Sequence, residues 1–109
     1  MDLADKQCVP CRGGVPPLEP DAIAPLAAQV PDWQVAEHRK IRRDFKLPDF
    51  AAGLALVNRI GAEAEAQGHH PDLYLAWGKV TVEIWTHKAN GLTESDFILA
   101  ARIDRIAGG

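Results

Sequence analysis

Glu65-Ala66-Gln67-Gly68-His69-His70-Pro71 and then Asp72-Leu73-Tyr74-Leu75-Ala76-Trp77-Gly78-Lys79-Val80-Thr81-Val82-Glu83-Ile84-Trp85-Thr86-His87 decide how this 109-residue chain folds. Gln67-Gly68 closes a helix, because glycine readily adopts the left-handed cap conformation. His69-His70-Pro71-Asp72 is then a post-helix loop, and Pro71 keeps His70 out of the helical region. Leu73 to Trp77 reads as a short strand and Gly78-Lys79 as a turn. Val80, Val82 and Ile84 alternate with Thr81, Glu83 and Trp85, a period-two strand pattern. His87 is expected to continue the Thr81-Glu83-Trp85 face.

Toward the N-terminus, Leu47-Pro48-Asp49 opens a long helix, with Pro48 suited to its first turn. Phe50, Leu54, Val57, Gly61 and Ala64 form its expected core stripe. Gly53 and Gly61 suggest close packing by a neighbouring element. Trp33 to Glu37 and Ile41 to Leu47 read as two strands joined by a tight turn near His38-Arg39. Arg43 interrupts their alternation. Glu19 to Val30 carries helix formers, with a start or a bend expected near Pro25. Residues 1–17 contain Pro10, Gly13-Gly14 and Pro16-Pro17, and read as a flexible N-terminal arm before a domain spanning 18–109. Toward the C-terminus, Thr93 is an apt N-cap. Glu94 and Asp96 favour the first turn of a last helix that runs to about Ile106, with Phe97, Ala100, Ala101 and Asp104 on one side.

The predicted order is α-β-β-α-β-β-α. Each strand pair is followed by a helix, so the expected class is α+β: a four-stranded antiparallel sheet with helices packed on one face. Such a sheet leaves a face and an edge strand needing cover, so a homo-oligomer built through the sheet is expected.

Hydrophobic residues are 47% and charged residues 25%, ordinary for one globular domain. The net charge of −3 gives no electrostatic support for nucleic-acid binding. The basic cluster Arg39-Lys40, Arg42-Arg43 is short and broken by Ile41. No apolar run is long enough to span a bilayer, and the polar Met1 to Lys6 is no secretory signal, so a cytoplasmic location without membrane association is expected. Cys8 and Cys11 are spaced C-x-x-C, but in a Pro/Gly-rich leader rather than at a strand-to-helix turn. They read as a reduced pair in a loosely ordered arm.

Three of the four histidines, His69, His70 and His87, lie near the carboxylates Glu65 and Asp96 in sequence. Imidazole exchanges protons near neutrality, and a carboxylate beside it fixes its tautomer. Glu65 lies four residues before His69, at the helix end. His87 follows the last strand, and Asp96 sits in the first turn of the last helix. Two loops at one end of the sheet thus bring three imidazoles and two acids together, the makings of a proton-transfer site. A metal-ligand set drawn from His69, His70, His87 and the two cysteines is the weaker reading, because adjacent histidines are awkward chelators.

The run H-H-P, a strand pair, then T-H-x-x-x-G-L-T-x-x-D and an apolar helix resembles the pterin-4a-carbinolamine dehydratase family. Phe45-x-Leu47-x-x-Phe50 is similar to its F-x-F-x-x-F signature, with Leu47 in the middle place. The likeness covers roughly residues 19–106. It departs from the family's habit at Leu73, Trp77 and Gly78, which touches the details of pterin packing rather than the proton chemistry. The resemblance implies loss of water from a 4a-hydroxytetrahydropterin, giving the quinonoid dihydropterin and supporting tetrahydropterin recycling for aromatic amino acid hydroxylation. It implies His69 and His87 as acid and base, and His70 as a holder of the pterin. Glu65 and Asp96 would orient the imidazoles, with Asp96 reinforcing His87, and Trp85 would offer stacking surface. No metal or other cofactor is needed for such chemistry. The same resemblance admits a dehydratase-like role in molybdopterin cofactor metabolism, or a non-catalytic dimerisation module.

Overall fold

A computed structural model describes residues 2–8 and 16–108. Its elements are α1 (Pro20–Ala27), β1 (Gln34–Ala36), β2 (Lys40–Lys46), α2 (Phe50–Gln67), β3 (Asp72–Ala76), β4 (Lys79–Ile84) and α3 (Glu94–Gly108). Single 3-10 turns lie at Leu3–Asp5 and His87–Ala89. The four strands are antiparallel in the order β1-β2-β4-β3, with the helices on one face, as the sequence pattern predicts.

The register explains which side chains enter the core. Ile41 pairs with Ile84, Phe45 with Val80, and Leu73 and Leu75 with Val82 and Val80. These residues share the face that meets Leu56 and Ile60 of α2 and Phe97, Ile98, Leu99 and Ile103 of α3. Arg43 pairs with Val82, so it also belongs to this face. It interrupts the apolar alternation because its guanidinium reaches Asp104 of α3 at 2.5 Å and lies 4.3 Å over the Phe45 ring. Trp33 Nε1 donates to the same Asp104 carboxylate at 2.8 Å. The opposite face is polar. Arg42, Asp44, Thr81 and Glu83 form a linked set there, in which the Thr81 hydroxyl donates to Asp44 and holds its carboxyl below the usual range.

Four local expectations are corrected. The stripe of α2 that enters the core is Gly53, Leu56, Ile60 and Ala64, whereas Phe50 and Leu54 are exposed. Nothing lies within 4 Å of a Cβ built on Gly61, while one on Gly53 would sit 2.8 Å from Leu75 Cδ1. Only Gly53 therefore marks a close approach. The helix begins at Phe50, capped by Asp49 accepting from Ala52 N–H, so Pro48 stays outside it. In α1 the start is Pro20, and the helix passes through Pro25 to end two residues later. The lost N–H there leaves only the exposed Asp21 carbonyl without its helical partner.

The beginning of the chain differs from a loose arm. Leu3 and Ala4 are buried against the core cluster, and Leu3–Asp5 packs on α3. Arg102 donates from Nε and Nη2 to the Lys6 carbonyl at 2.8 and 2.6 Å. Burying one leucine contributes roughly 1.5–3 kcal/mol. The exposed pairs Lys6–Glu94 and Arg105–Asp5 add little by comparison. This cover is why Ser95 to Ala100 are all buried rather than one side of α3 alone. The expectation of flexibility for residues 9–15, and that of a reduced Cys11, lie outside the described residues. No helix among the described residues is long and apolar enough to cross a membrane.

Candidate active site

Gly68 takes φ 63° at the end of α2, and His69 N–H returns to the Ala64 carbonyl at 3.2 Å. This left-handed cap folds the chain back on itself. It sends the two adjacent histidines to different partners. His69 Nε2 meets Asp96 Oδ1 at 2.5 Å. His70 Nε2 hydrogen-bonds Glu65 Oε2. The environments differ as much as the partners. Asp96 has no exposed surface and the His69 side chain is 12% exposed, whereas His70 and Glu65 are 61% and 77% exposed. The second pair is a solvated contact of small energetic weight.

A carboxylate buried this deeply needs hydrogen-bond donors. Asp96 has three. His69 occupies Oδ1, while the Thr86 hydroxyl and the Thr93 N–H both donate to Oδ2 at 2.8 Å. The Thr93 bond is that of an acidic residue at the third helical position reaching back to the N-cap. Asp96 thus caps α3 and holds an imidazole with the same side chain. Because a carboxylate only accepts, His69 Nε2 must carry the proton, and Nδ1 is the ring nitrogen Asp96 does not hold.

β4 ends at Ile84, so His87 does not continue a strand face. It starts a 3-10 turn closed by Asn90 in the left-handed region. The base of this loop is the bridge between Thr86 and Gly91, with Thr86 N–H donating to the Gly91 carbonyl at 2.9 Å. His87 is exposed and its ring packs T-shaped against that of Trp85, with centroids 4.1 Å apart at 89°. Asp96 bonds His69 and not His87, correcting the expected partner of that acid. Glu65, expected to meet an imidazole of this loop, bonds His70.

Gly68, His69, His70, Trp85, Thr86, His87 and Lys88 line one open pocket of about 300 Å³. That is the lower end of the range for small-molecule sites. The fold brings together the three histidines and Trp85 around it. Asp96 sits behind His69, and Glu65 beside His70. Among the described residues, no group of three or more His, Cys, Asp or Glu side chains has metal-binding geometry.

Sequence reasoning assigned no role to four contributing residues. Thr86 entered only as part of the T-H-x-x-x-G-L-T-x-x-D run, with no role of its own, yet it is 2% exposed and bonds Asp96. Lys88 lines the pocket. Pro17 and Leu18 brace the histidine loop: Leu18 N–H donates to the Leu92 carbonyl at 2.7 Å, and a Cβ on Gly91 would lie 2.6 Å from Pro17 Cβ. Only Thr86 carried a signal, as a hydroxyl beside His87 and ten residues before Asp96.

Comparison with known proteins places this arrangement in context. The sequence model of one family, described as pterin 4 alpha carbinolamine dehydratase, matches residues 16–106. A protein of Rubrobacter xylanophilus, provisionally named a pterin-4-alpha-carbinolamine dehydratase, is 49% identical over 105 residues, covering 96% of this chain and 98% of its own. One of Rickettsia bellii with the same provisional name is 52% identical over 103 residues, covering 94% and 91%. The crystal structure of a transcriptional coactivator/pterin dehydratase from Brucella melitensis superposes with a TM-score of 0.79 at 31% identity, over 84% of this chain and 99% of that one. A pterin dehydratase-like RuBisCO assembly factor of the alpha-carboxysome shares the fold, with a TM-score of 0.58 at 22% identity, over 71% and 88%.

Proposed function

We propose, for a chain that belongs to the pterin 4 alpha carbinolamine dehydratase family, that it removes water from a 4a-hydroxytetrahydropterin to give the quinonoid dihydropterin. The observation that carries this reading is the buried Asp96–His69 pair opening on a pocket rimmed by a second imidazole, His87. Dehydration needs a proton delivered to the leaving 4a-hydroxyl and a proton taken from the ring nitrogen beside it. The C4a–O bond breaks, the nitrogen lone pair forms the C4a–N double bond, and water departs. In this reading Asp96 keeps the proton of His69 on Nε2, so Nδ1 accepts the proton from the ring nitrogen. His87 delivers the other to the hydroxyl. Positioned acid–base groups of this kind contribute about 10²–10⁴-fold.

His70, held from the solvent side by Glu65, contacts the bound pterin, and partly exposed Trp85 beside His87 supplies apolar surface. The product feeds a reduction that returns the pterin to its tetrahydro form, so the physiological setting of this proposal is cytoplasmic pterin recycling. A homo-oligomer belongs to the same proposal. Edge strand β3 carries Tyr74, 55% exposed, and Trp77, 72% exposed, stands at its turn. An uncovered edge with aromatic surface favours pairing with a second copy.

The test is a stopped-flow dehydration assay on freshly generated 4a-hydroxytetrahydropterin with protein treated with chelator. Acceleration proportional to enzyme concentration is expected. A folded protein that leaves the spontaneous rate unchanged would refute the reading.

A further inference from the structure

We infer that Thr86 is a positioning residue that sets the two imidazoles of the pocket relative to each other; this deepens the dehydratase reading and rests on it. Thr86 is 2% exposed, between partly exposed Trp85 and exposed His87. Its main chain closes the loop that carries His87. The N–H donates to the Gly91 carbonyl at 2.9 Å, and its carbonyl accepts from Gly91 at 3.3 Å and Ala89 at 3.2 Å. Its side chain reaches the carboxylate that holds His69, donating to Asp96 Oδ2 at 2.8 Å. That uses the only hydroxyl proton, so at the 3.0 Å contact with Thr93 the Thr93 hydroxyl is the donor.

One residue therefore joins the His87 loop to the His69–Asp96 pair. The two donors on Oδ2, from Thr86 and Thr93, fix the carboxylate plane and leave Oδ1 to His69. Among the described residues, removing the hydroxyl leaves Oδ2 with the Thr93 N–H alone, and the carboxylate can turn away from the ring. Burial and the loop bridge do not require a hydroxyl at this position. Valine has nearly the same shape and keeps the main-chain bonds.

The experiment compares Thr86→Val and Thr86→Ser with wild type in steady-state dehydration and in ¹⁵N NMR of the imidazole nitrogens. Valine should lower kcat by about 10–100-fold, the loss typical when a partner that orients a functional imidazole is removed, with KM changed by less than about twofold. Serine, which keeps the hydroxyl, should stay within about threefold of wild-type kcat. In the spectra, wild type and the serine variant should show His69 protonated on Nε2. The valine variant should show a mixture of tautomers at His69 and an unchanged His70. Wild-type kcat in Thr86→Val, a loss confined to KM, or a serine variant as impaired as valine would overturn the proposal. Should wild type itself lack dehydratase activity, the functional reading fails. The spectra then decide Thr86: an unchanged His69 tautomer in the valine variant overturns the positioning role, and a mixed one supports it. If Thr86→Val does not fold, Thr86→Ala removes the same hydroxyl with less bulk and is judged by the same criteria.

Discussion

Replacing Asp96 by Asn changes one atom and reverses the polarity of one contact. Three donors converge on this side chain: His69 Nε2, the Thr86 hydroxyl and the Thr93 N–H. A carboxylate accepts all three. An amide offers one oxygen and one NH₂ group, so one neighbour must become an acceptor. The Thr93 N–H cannot, and the amide oxygen belongs on its side. The NH₂ group then faces His69. Imidazole can accept through Nε2 only by moving its proton to Nδ1, the atom assigned to take the substrate's proton. We therefore predict a kcat lower by about 10²–10⁴-fold, the range that separates a correctly held acid–base imidazole from a misplaced one. The stability cost should be smaller. Each hydrogen bond to the charged group weakens by about 1 kcal/mol on becoming neutral. Relief from burying a charge opposes this, for a net loss of roughly 1–2 kcal/mol. The assays are steady-state dehydration, thermal unfolding and ¹⁵N NMR of His69. An Asp96→Asn protein that turns over at the wild-type rate, or whose His69 keeps its proton on Nε2, would refute the reasoning.

Gly91→Ala places a Cβ 2.6 Å from Pro17 Cβ, and a proline ring cannot rotate away, so it should cost about 1–3 kcal/mol. Gly61→Ala meets nothing within 4 Å and should stabilise by about 0.5–1 kcal/mol; calorimetry giving both variants the same Tm would contradict these assignments. His87→Ala should lower kcat by up to about 10²–10⁴-fold, whereas His38→Ala, in the β1–β2 turn, should behave as wild type; equal losses in the two would misplace the site. Burial pushes the Cys8 thiol up to about 11 from 9.0, partly offset by the Arg102 guanidinium. Because the folded value is the raised one, Cys8 does not affect stability below pH 9 and lowers it as pH rises from 9 toward 11, as the unfolded thiol ionises first. Cys8→Ser should flatten that part of a pH–stability profile, and alkylation of Cys8 in native protein should be slow at pH 8.

The elements of this protein are legible locally because their periods and breakers are local. Val80, Val82 and Ile84 announce a strand, Gly68 a left-handed helix end, and Thr93 with Asp96 a helix start. The order of those elements restricts the sheet to a four-stranded antiparallel form with helices on one side. The H-H-P and T-H-x-x-x-G-L-T-x-x-D spacings, which pointed to the family, lie on two loops that this order carries to one end of the sheet. Which face of α2 turns inward was not legible, since Leu54 and Leu56 are equally apolar; packing against Leu75 and Val80 chose the side that carries Gly53. Nor was the cover that residues 2–8 place on α3, because a seven-residue segment with one buried leucine has no period to read. The pairing of acids with imidazoles was likewise a tertiary decision. Spacing along the chain left open which imidazole Glu65 meets, and the family likeness pointed Asp96 at His87. The left-handed turn at Gly68 and the approach of α3 give His69 to Asp96 and leave Glu65 to His70. Hydrogen-bond partners follow direction in space, and in this loop one residue's backbone angles set a direction that spacing along the chain does not specify.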